Sequence, residues 1–430
     1  MSAEVLVLLV VFAGLLLLNV PVAVCIGVSA FAMIATLGHV PVMFLVGERM
    51  SNGINSFPLL AIPFFVLAGV LMGEGGLARR LMDFAAALVG RLPGGLAYVN
   101  TMSCMLFGAV SGSATAAVSS IGTFMIPQMR QKGYSSEFAV ALTATSATTG
   151  LLIPPSNIMI VYAVVSGGVS VAALFMAGIV PGVLVGLLLM VASATLMKIG
   201  GHLAVKASDV PRFFPALFGA LPGLLLIIIV LGGILGGIFS PTEASAIAVA
   251  YALLLGGLVY REIKLSQLPA IILSAAKTTS VVMLLIGASQ AMSWVLAYEN
   301  IPQTVSAAML TLSENPLMVF LLINLLLLVV GMFMDMTPAV LIFTPIFLPV
   351  VTNLGMDPVH FGVMMVANLC IGLCTPPVGT CLFVGCSVGR TTIARTSIPA
   401  IPFFIAMFIG LMLITYVPWL SLALPQWLGL

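Results

Sequence analysis

The sequence predicts an all-α, polytopic membrane protein. Of its 430 residues, 62% are hydrophobic and only 6% are charged, which is too little charge to cover the surface of a soluble domain. Apolar runs of about 20 residues fill almost the whole chain. Two of these runs are interrupted by adjacent prolines, and the interruptions recur at a fixed spacing. The net charge of +2 is too small to indicate nucleic-acid binding.

Ten apolar runs are predicted to cross the membrane. The first follows Met1 to Glu4, which lacks the basic start of a signal peptide, so we interpret it as a mature span that meets the second near Pro21. The predicted spans are 4–19, 21–38, 56–73, 137–165, 171–197, 215–238, 242–260, 270–297, 358–388 and 396–425.

Two further apolar regions, 95–129 and 314–350, are each split near the middle. The first is interrupted by SGSAT at 111–115 and the second by MDMTP at 334–338. We predict that both are re-entrant hairpins, which enter and leave on the same side of the membrane.

The distribution of basic residues supports this layout with the N-terminus outside. Only Arg49 then lies outside, and counting either hairpin as a full crossing would break the pattern downstream of it. The residues placed inside or at the inner flanks are Arg79, Arg80, Arg91, Arg130, Lys132, Lys198, Lys206, Arg212, Arg261, Lys264, Lys277, Arg390 and Arg395.

Residues 150–157 (GLLIPPSN) and 372–379 (GLCTPPVG) predict the two broken helices. Two adjacent prolines remove two backbone donors and clash with the preceding turn. The carbonyl oxygens that they free are tolerated at membrane depth where protein or water satisfies them, and they are also ligands for hard cations.

The interruptions repeat at one offset. Pro376 follows Pro154 by 222 residues (376 − 154), and the same offset relates Gly372 to Gly150 and Thr337 to Thr115. With five crossings and one hairpin in each half, the second copy is inverted. We therefore predict a first inverted repeat at 1–198, a cytoplasmic linker at 199–214 and a second inverted repeat at 215–430, the architecture of secondary transporters.

Residues 77–88 have apolar side chains at helical spacing, at Leu77, Leu81, Phe84 and Leu88, with charged residues between them. This pattern predicts an amphipathic helix in the cytoplasmic interface. A weaker counterpart at 301–312 has Ile301, Val305, Ala308 and Leu312 on one face. Two interpretations of such helices are open: they border a part of the protein that moves, or they only connect the neighbouring elements.

No catalytic constellation and no nucleotide-phosphate motif is found, which argues against an enzyme or a direct ATP-driven pump. His39, His202 and His360 all fall at predicted span ends or in loops. The six cysteines lie in apolar surroundings; Cys370 and Cys374 share a helix face, but packing explains them better than a metal site.

The hairpin tips and breaks offer the chemistry of a binding site. The hydroxyls and the glycine backbone at 111–115 lie at a half-helix N-terminus, where they can bind a carboxylate. The alternative is that these small residues serve only to pack helices together. Asp335 is the only acidic side chain placed deep in the membrane, where it either binds a cation or caps a helix. Asn157 orients substrate or caps the helix that follows, and Glu243 fits an N-terminal cap.

These segments resemble the large membrane subunit of tripartite ATP-independent periplasmic (TRAP) transporters, in the ion transporter superfamily, and the resemblance runs essentially end to end. It is carried by LLAIPFFVLAG at 59–69, SGSA at 111–114, IPPS at 153–156, SPTEA at 240–244, AAKTTS at 275–280, GMFMDMTP at 331–338 and TPPVG at 375–379.

The resemblance implies an elevator mechanism, in which a transport domain with both hairpins and both broken helices slides against a scaffold. It also implies a small four-span membrane subunit, a periplasmic substrate-binding protein, a place in the bacterial inner membrane and Na⁺ as coupling ion, with no other cofactor. The first Na⁺ site it implies comprises Ser111, Gly112, Ser113, Gly150, Ile153 and Pro155; the second comprises Asp335, Thr337, Gly372, Thr375 and Pro377.

Substrate is placed between the two tips, in contact with Ser113, Thr115, Thr149, Asn157, Thr337 and Thr375. Residues 149–157 look more like the sialic-acid branch of the family than the C4-dicarboxylate branch. A C4-dicarboxylate or other sugar acid is the alternative within the family. A stand-alone sodium/anion carrier and a channel subunit are the alternatives outside it.

Overall fold

The computed structural model describes residues 3–18, 20–38, 41–200, 210–312 and 315–430. Within them the regular structure is helical, with twenty α-helices in chain order. The first ten are α1 Ala3–Leu17, α2 Val22–Thr36, α3 Val42–Ile54, α4 Ala61–Glu74, α5 Leu77–Val89, α6 Gly95–Ser111, α7 Ala114–Gln131, α8 Ser136–Thr149, α9 Asn157–Val165 and α10 Val171–Gly200. The others are α11 Phe213–Leu235, α12 Pro241–Leu253, α13 Leu268–Tyr298, α14 Ile301–Leu312, α15 Pro316–Phe333, α16 Met336–Asn353, α17 Pro358–Gly372, α18 Thr380–Gly389, α19 Ile393–Tyr416 and α20 Trp419–Trp427.

Eight helical segments of the described chain are long and apolar enough to cross a membrane. They include the helices predicted at 56–73, 171–197, 215–238, 242–260 and 270–297. Helices α1 and α2 have 15 residues each and pack against one another on either side of Pro21. The membrane-spanning class predicted from composition is therefore confirmed.

Both predicted broken helices are broken. The 137–165 run divides into α8 and α9, and the 358–388 run divides into α17 and α18. The Pro154–Pro155 and Pro376–Pro377 peptide bonds are both cis. Each break leaves seven residues, 150–156 and 373–379, outside regular α-helix.

Both predicted interruptions of the hairpins also lie between two helices. Helices α6 and α7 flank Gly112, and α15 and α16 flank residues 334–335. We call α6–α7 hairpin 1 and α15–α16 hairpin 2. The elements from α5 to α10 and from α14 to α19 thus follow the same order, an amphipathic helix, a hairpin, a broken helix and a long helix.

Two predictions need correction. The region before residue 56, left without an element, contains α3, which buries Leu45 and Val46 and packs on α13. The last span, predicted at 396–425, ends at Tyr416 because Pro418 separates it from α20. Lys277 lies within the predicted span 270–297 and within the candidate span Leu265–Tyr298.

The amphipathic helix predicted at 77–88 is α5, and Leu77 and Leu81 are buried while Leu88 is exposed, so its apolar face is shorter than predicted. Its Arg80 donates to Glu262 at 2.9 Å and stacks over the Tyr260 ring. Its counterpart α14 also forms, although the side chain of Leu312 and most of the predicted linker, at 201–209, lie outside the described residues.

Capping accounts for one more predicted residue. Ser240 and Glu243 form a reciprocal capping box at the start of α12. The cap predicted for Glu243 is therefore confirmed.

Candidate functional site

A cavity of about 550 Å³ lies where the tips of both hairpins meet the second halves of both broken helices. It brings together seven predicted site residues from three separate segments of the sequence. They are Ser111, Gly112, Ser113, Thr115, Asn157, Asp335 and Thr337.

Hairpin 1 rests on the first break. Gly112 has a φ of +60°, which suits glycine, and a Cβ there would stand 3.1 Å from Nδ2 of Asn157 and 3.5 Å from the Pro155 carbonyl oxygen. About one helical turn before the tip, the Cα of Gly108 would stand 2.4 Å from a Cβ on Gly150. Backbone therefore meets backbone along this contact, which brings carbonyl oxygens of the tip and of the break close together.

Hairpin 2 rests on the second break in the same manner. A Cβ on Gly372 would stand 2.6 Å from the Cα of Gly331, and the Val378 amide donates to the Met332 carbonyl at 3.3 Å. Gly379, with a φ of +44°, turns the chain into α18.

The polar side chains at the two tips differ in their hydrogen bonds. Ser113 caps α7 by accepting a hydrogen bond from the Ala116 amide at 3.3 Å. Asp335 takes the same place before α16, yet its side chain makes no capping hydrogen bond. Asp335 is an exposed residue that lines the cavity. Asn157 is no cap, because Ser156 holds that position.

The other predicted site residues lie behind the cavity wall. Gly150 and Gly372 lie in the two glycine contacts, and Pro155 and Pro377 lie in the breaks. The hydroxyls of Thr149 and Thr375 donate to carbonyls of their own helices, at 2.6 and 2.7 Å. Ile153 packs against Gly182 of α10. The structure thus does not bring Thr149 or Thr375 to the cavity wall.

Several lining residues were not predicted. Helix α4 contributes the apolar residues Ile62, Val66, Gly69 and Val70, and α13 contributes Ser274, Thr278 and Val282. Thr380 lines the cavity as the first residue of α18, in the position that Asn157 has in α9. The offset of 222 pairs Asn157 with Gly379, whereas the second half-helix begins one residue later after its proline pair.

The cavity's lining includes one carboxylate, Asp335, and no lysine, arginine or histidine. Its remaining polar groups are hydroxyls, the Asn157 amide and backbone. Such oxygen-rich surroundings suit an alkali cation beside the carboxylate, and the amide and hydroxyl donors suit an organic anion.

The two halves are joined behind the site. The thiols of Cys370 and Cys374 donate to the carbonyls of Thr148 and Ala144 on α8. Helix α18 packs against α7 and α8, and α9 packs against α16. Each half-helix after a break therefore contacts the hairpin of the other half.

Comparisons with known proteins agree with this picture. A family model described as "Tripartite ATP-independent periplasmic transporter, DctM component" matches residues 9–420. The chain is 49% identical to an uncharacterized protein, YgiK, of Salmonella typhimurium over 415 residues, covering 96% of this chain and 95% of that one.

Two relatives have named transport roles. The isethionate TRAP transporter permease protein DctMQ of Oleidesulfovibrio alaskensis is 42% identical, and the match covers 95% of this chain and 64% of that longer protein. The sialic acid TRAP transporter large permease protein SiaM of Vibrio cholerae is 39% identical over 96% of both chains.

One solved structure has the same fold. It is the YdaH transporter of Alcanivorax borkumensis, with a TM-score of 0.66, 16% identity, and coverage of 97% of this chain and 99% of that one.

Proposed function

The chain belongs to the DctM family of TRAP transporter large membrane subunits, and on this premise we propose that it imports an organic acid by sodium-driven symport. The observation that supports this most strongly is the cavity between the hairpin tips, which Asp335 lines together with hydroxyl-bearing residues and backbone. The relatives are named as permeases, so the chain's role is transport rather than catalysis.

One Na⁺ binds at each contact between a hairpin and a break. The first site uses oxygens from Ser111, Gly112, Ser113, Gly150, Ile153 and Pro155, and the second uses Asp335, Thr337, Gly372, Thr375 and Pro377. The close approach of Gly108 to Gly150 and of Gly331 to Gly372 supports this proposal, because it holds each tip at its break. A cation beside Asp335 offsets the cost of a carboxylate within the membrane.

Transport follows an elevator mechanism in an inverted repeat. The hairpins and broken helices of both halves pack on one another and form the transport domain. Helices α2, α3, α4, α12 and α13 pack among themselves and supply the scaffold. The cavity lies between these two groups, since α4 and α13 line one side and the tips line the other.

The substrate we favour is sialic acid, on the likeness of residues 149–157 to that branch. The sialic acid relative and the isethionate relative are about equally similar to this chain, at 39% and 42% identity, so other organic acids, C4-dicarboxylates included, are the alternatives to test. Ser113, Thr115, Asn157 and Thr337 are the substrate contacts that the cavity supports.

The transporter needs two partners, a small four-span membrane subunit and a periplasmic substrate-binding protein. It acts in the bacterial inner membrane with its N-terminus in the periplasm. The DctMQ name of the longer isethionate relative agrees with a chain that works beside a second membrane component.

Uptake into proteoliposomes containing this chain and its small subunit tests the proposal. Labelled sialic acid is offered with and without an inward sodium gradient, and with and without the binding protein. We expect uptake only when both are present. Uptake without the binding protein would indicate a stand-alone carrier, uptake of succinate alone would overturn the substrate, and uptake without sodium would overturn symport.

A further inference from the structure

We propose that Lys277 on α13 is a further anion contact, which binds the acid group of the substrate on the scaffold side of the cavity beside Ser274. This inference rests on the proposed function for its substrate. It adds a cation to a site whose lining residues include none.

Helix α13 forms a polar wall opposite the hairpin tips. Ser274 and Thr278 are four residues apart, so both lie on one face of the helix, and both line the cavity. Both side chains are exposed rather than packed. Thr115 and Ser119 on α7 have the same spacing and line the same cavity. Hydroxyl-bearing residues therefore line the cavity on α13 as well as on hairpin 1, although the Thr278 hydroxyl donates to the Ser274 carbonyl at 3.2 Å.

Lys277 lies beside this wall. It is three residues from Ser274, so their Cβ atoms are neighbours about 5–6 Å apart on the helix surface. A lysine stem is long enough to carry its ammonium group past such a neighbour. Because Ser274 and Thr278 bracket Lys277 in the sequence and line the cavity, Lys277 lies at the depth of the cavity.

The charge of Lys277 has no counterpart in the described part of the chain. The one ion pair found there is Arg80–Glu262, and the side chain of Lys277 is exposed. An ionisable residue inside a membrane span commonly marks the path of a substrate or an ion. An anionic substrate supplies the missing charge, whereas Na⁺ would be repelled.

The position on the scaffold gives this contact a distinct role. The hairpin tips move with the substrate in an elevator, but α13 stays in place. The contact with Lys277 therefore forms in the state described here and breaks when the transport domain moves away. Lys277 thus attracts the anion in one state without holding it in the other.

The test uses the purified chain with its small subunit and measures thermal stabilisation by added N-acetylneuraminate, succinate or isethionate in the presence of Na⁺. For the anions that stabilise the wild type, we expect Lys277→Gln to raise the half-maximal concentration about tenfold and Lys277→Arg to change it less than about twofold, because arginine keeps the charge. High salt should shrink the difference by screening.

Lys264→Gln is the matched control, since it removes the same charge from the exposed start of the α13 region. A merely structural role for Lys277 would lower the melting temperature without anion and leave the half-maximal concentration unchanged, which would overturn the proposal. Loss of the small subunit on purification of Lys277→Gln would also overturn it, by assigning the charge to that partner.

The same experiment separates this inference from the proposed function. Anion stabilisation that depends on Lys277, without sodium-driven uptake, would support the contact and contradict symport. Sodium-driven uptake with the anion dependence of Lys277→Gln equal to wild type would support symport and contradict the contact. Absence of stabilisation by any of the three anions in the wild type would count against the contact.

Discussion

The two hairpin–break contacts share their backbone and differ in their side chains. In both, glycine meets glycine, at Gly108–Gly150 and at Gly331–Gly372. At the tips, however, Ser113 corresponds to Asp335 at the offset of 222, and at the start of the half-helix after each break Asn157 of α9 has the position that Thr380 has in α18. The first half thus has an amide where the second has a hydroxyl, and the second half has a carboxylate on its hairpin tip.

The environments of the two breaks differ as well. Pro155 and Ser156 are buried, whereas Pro377 and Val378 are exposed. The common backbone explains how each half holds a tip against a break. We propose that the different side chains give the two halves different roles, with cation binding weighted to Asp335 and substrate recognition weighted to Asn157.

The largest expected effect comes from filling the shared glycine contacts. Gly150→Val and Gly372→Val each place a side chain against backbone that is 2.4 or 2.6 Å from the Cβ position. Backbone cannot move aside as a side-chain end can, so each costs about 1–3 kcal/mol or more. We expect both variants to lose sodium-driven uptake to a similar extent.

Gly14→Ala is the control, because nothing lies within 4 Å of its Cβ position and uptake should be unchanged. Membrane yield is measured alongside uptake. If one of the two glycine variants lost uptake strongly and the other kept normal uptake, the two contacts would not be equivalent.

Asp335→Asn should have the next largest effect. It removes the carboxylate from the cavity and keeps its shape, and we expect the Na⁺ concentration for half-maximal uptake to rise by about tenfold or more. Asp83→Asn on α5, away from the cavity, is the matched control. An unchanged Na⁺ dependence would show that the second site does not use the carboxylate.

Asn157→Ala should have a smaller and different effect. It removes a side chain that lies against Gly112 and lines the cavity. We expect the KM for substrate to rise about three- to tenfold, since a neutral hydrogen bond is lost, with little change in Na⁺ dependence. Asn52→Ala on the exposed side of α3 is the control. A change confined to Na⁺ dependence would reverse the roles assigned to the two halves.

The smallest expected effect comes from Arg80 on the amphipathic helix α5. Arg80 ties α5 to Glu262 and Tyr260, and it also donates to the Gly76 carbonyl. Arg80→Gln should therefore destabilise the protein by about 1 kcal/mol, measured by thermal unfolding, because the ion pair is partly exposed. Arg91→Gln should leave the melting temperature unchanged. Equal shifts in the two variants would mean that the Arg80 contacts contribute nothing measurable.

The backbone of the site could be predicted from the sequence because proline and glycine act locally. Adjacent prolines located both breaks, and the small, polar or proline residues at 111–115 and 334–338 located both tips. Their recurrence at one offset then grouped the residues that line the cavity. These signals need no knowledge of which helices pack together.

The residues that line the cavity on the scaffold side were not predicted, and the reason is physical. Ser274 and Thr278 sit in an apolar span, where hydroxyls facing a cavity and hydroxyls facing a neighbouring helix give the same pattern. Thr380 was missed because the second half-helix begins one residue later after its prolines. Thr149 was included on its position alone, but its hydroxyl bonds to its own helix.

The Na⁺ dependence of uptake by the wild type, compared with Asp335→Asn, tests the central claim most directly. One cation at each hairpin–break contact predicts a sigmoidal dependence in the wild type. When the carboxylate is removed, the Na⁺ concentration for half-maximal uptake should rise by about tenfold or more. Uptake that proceeds at the same rate without sodium in either protein would contradict the account.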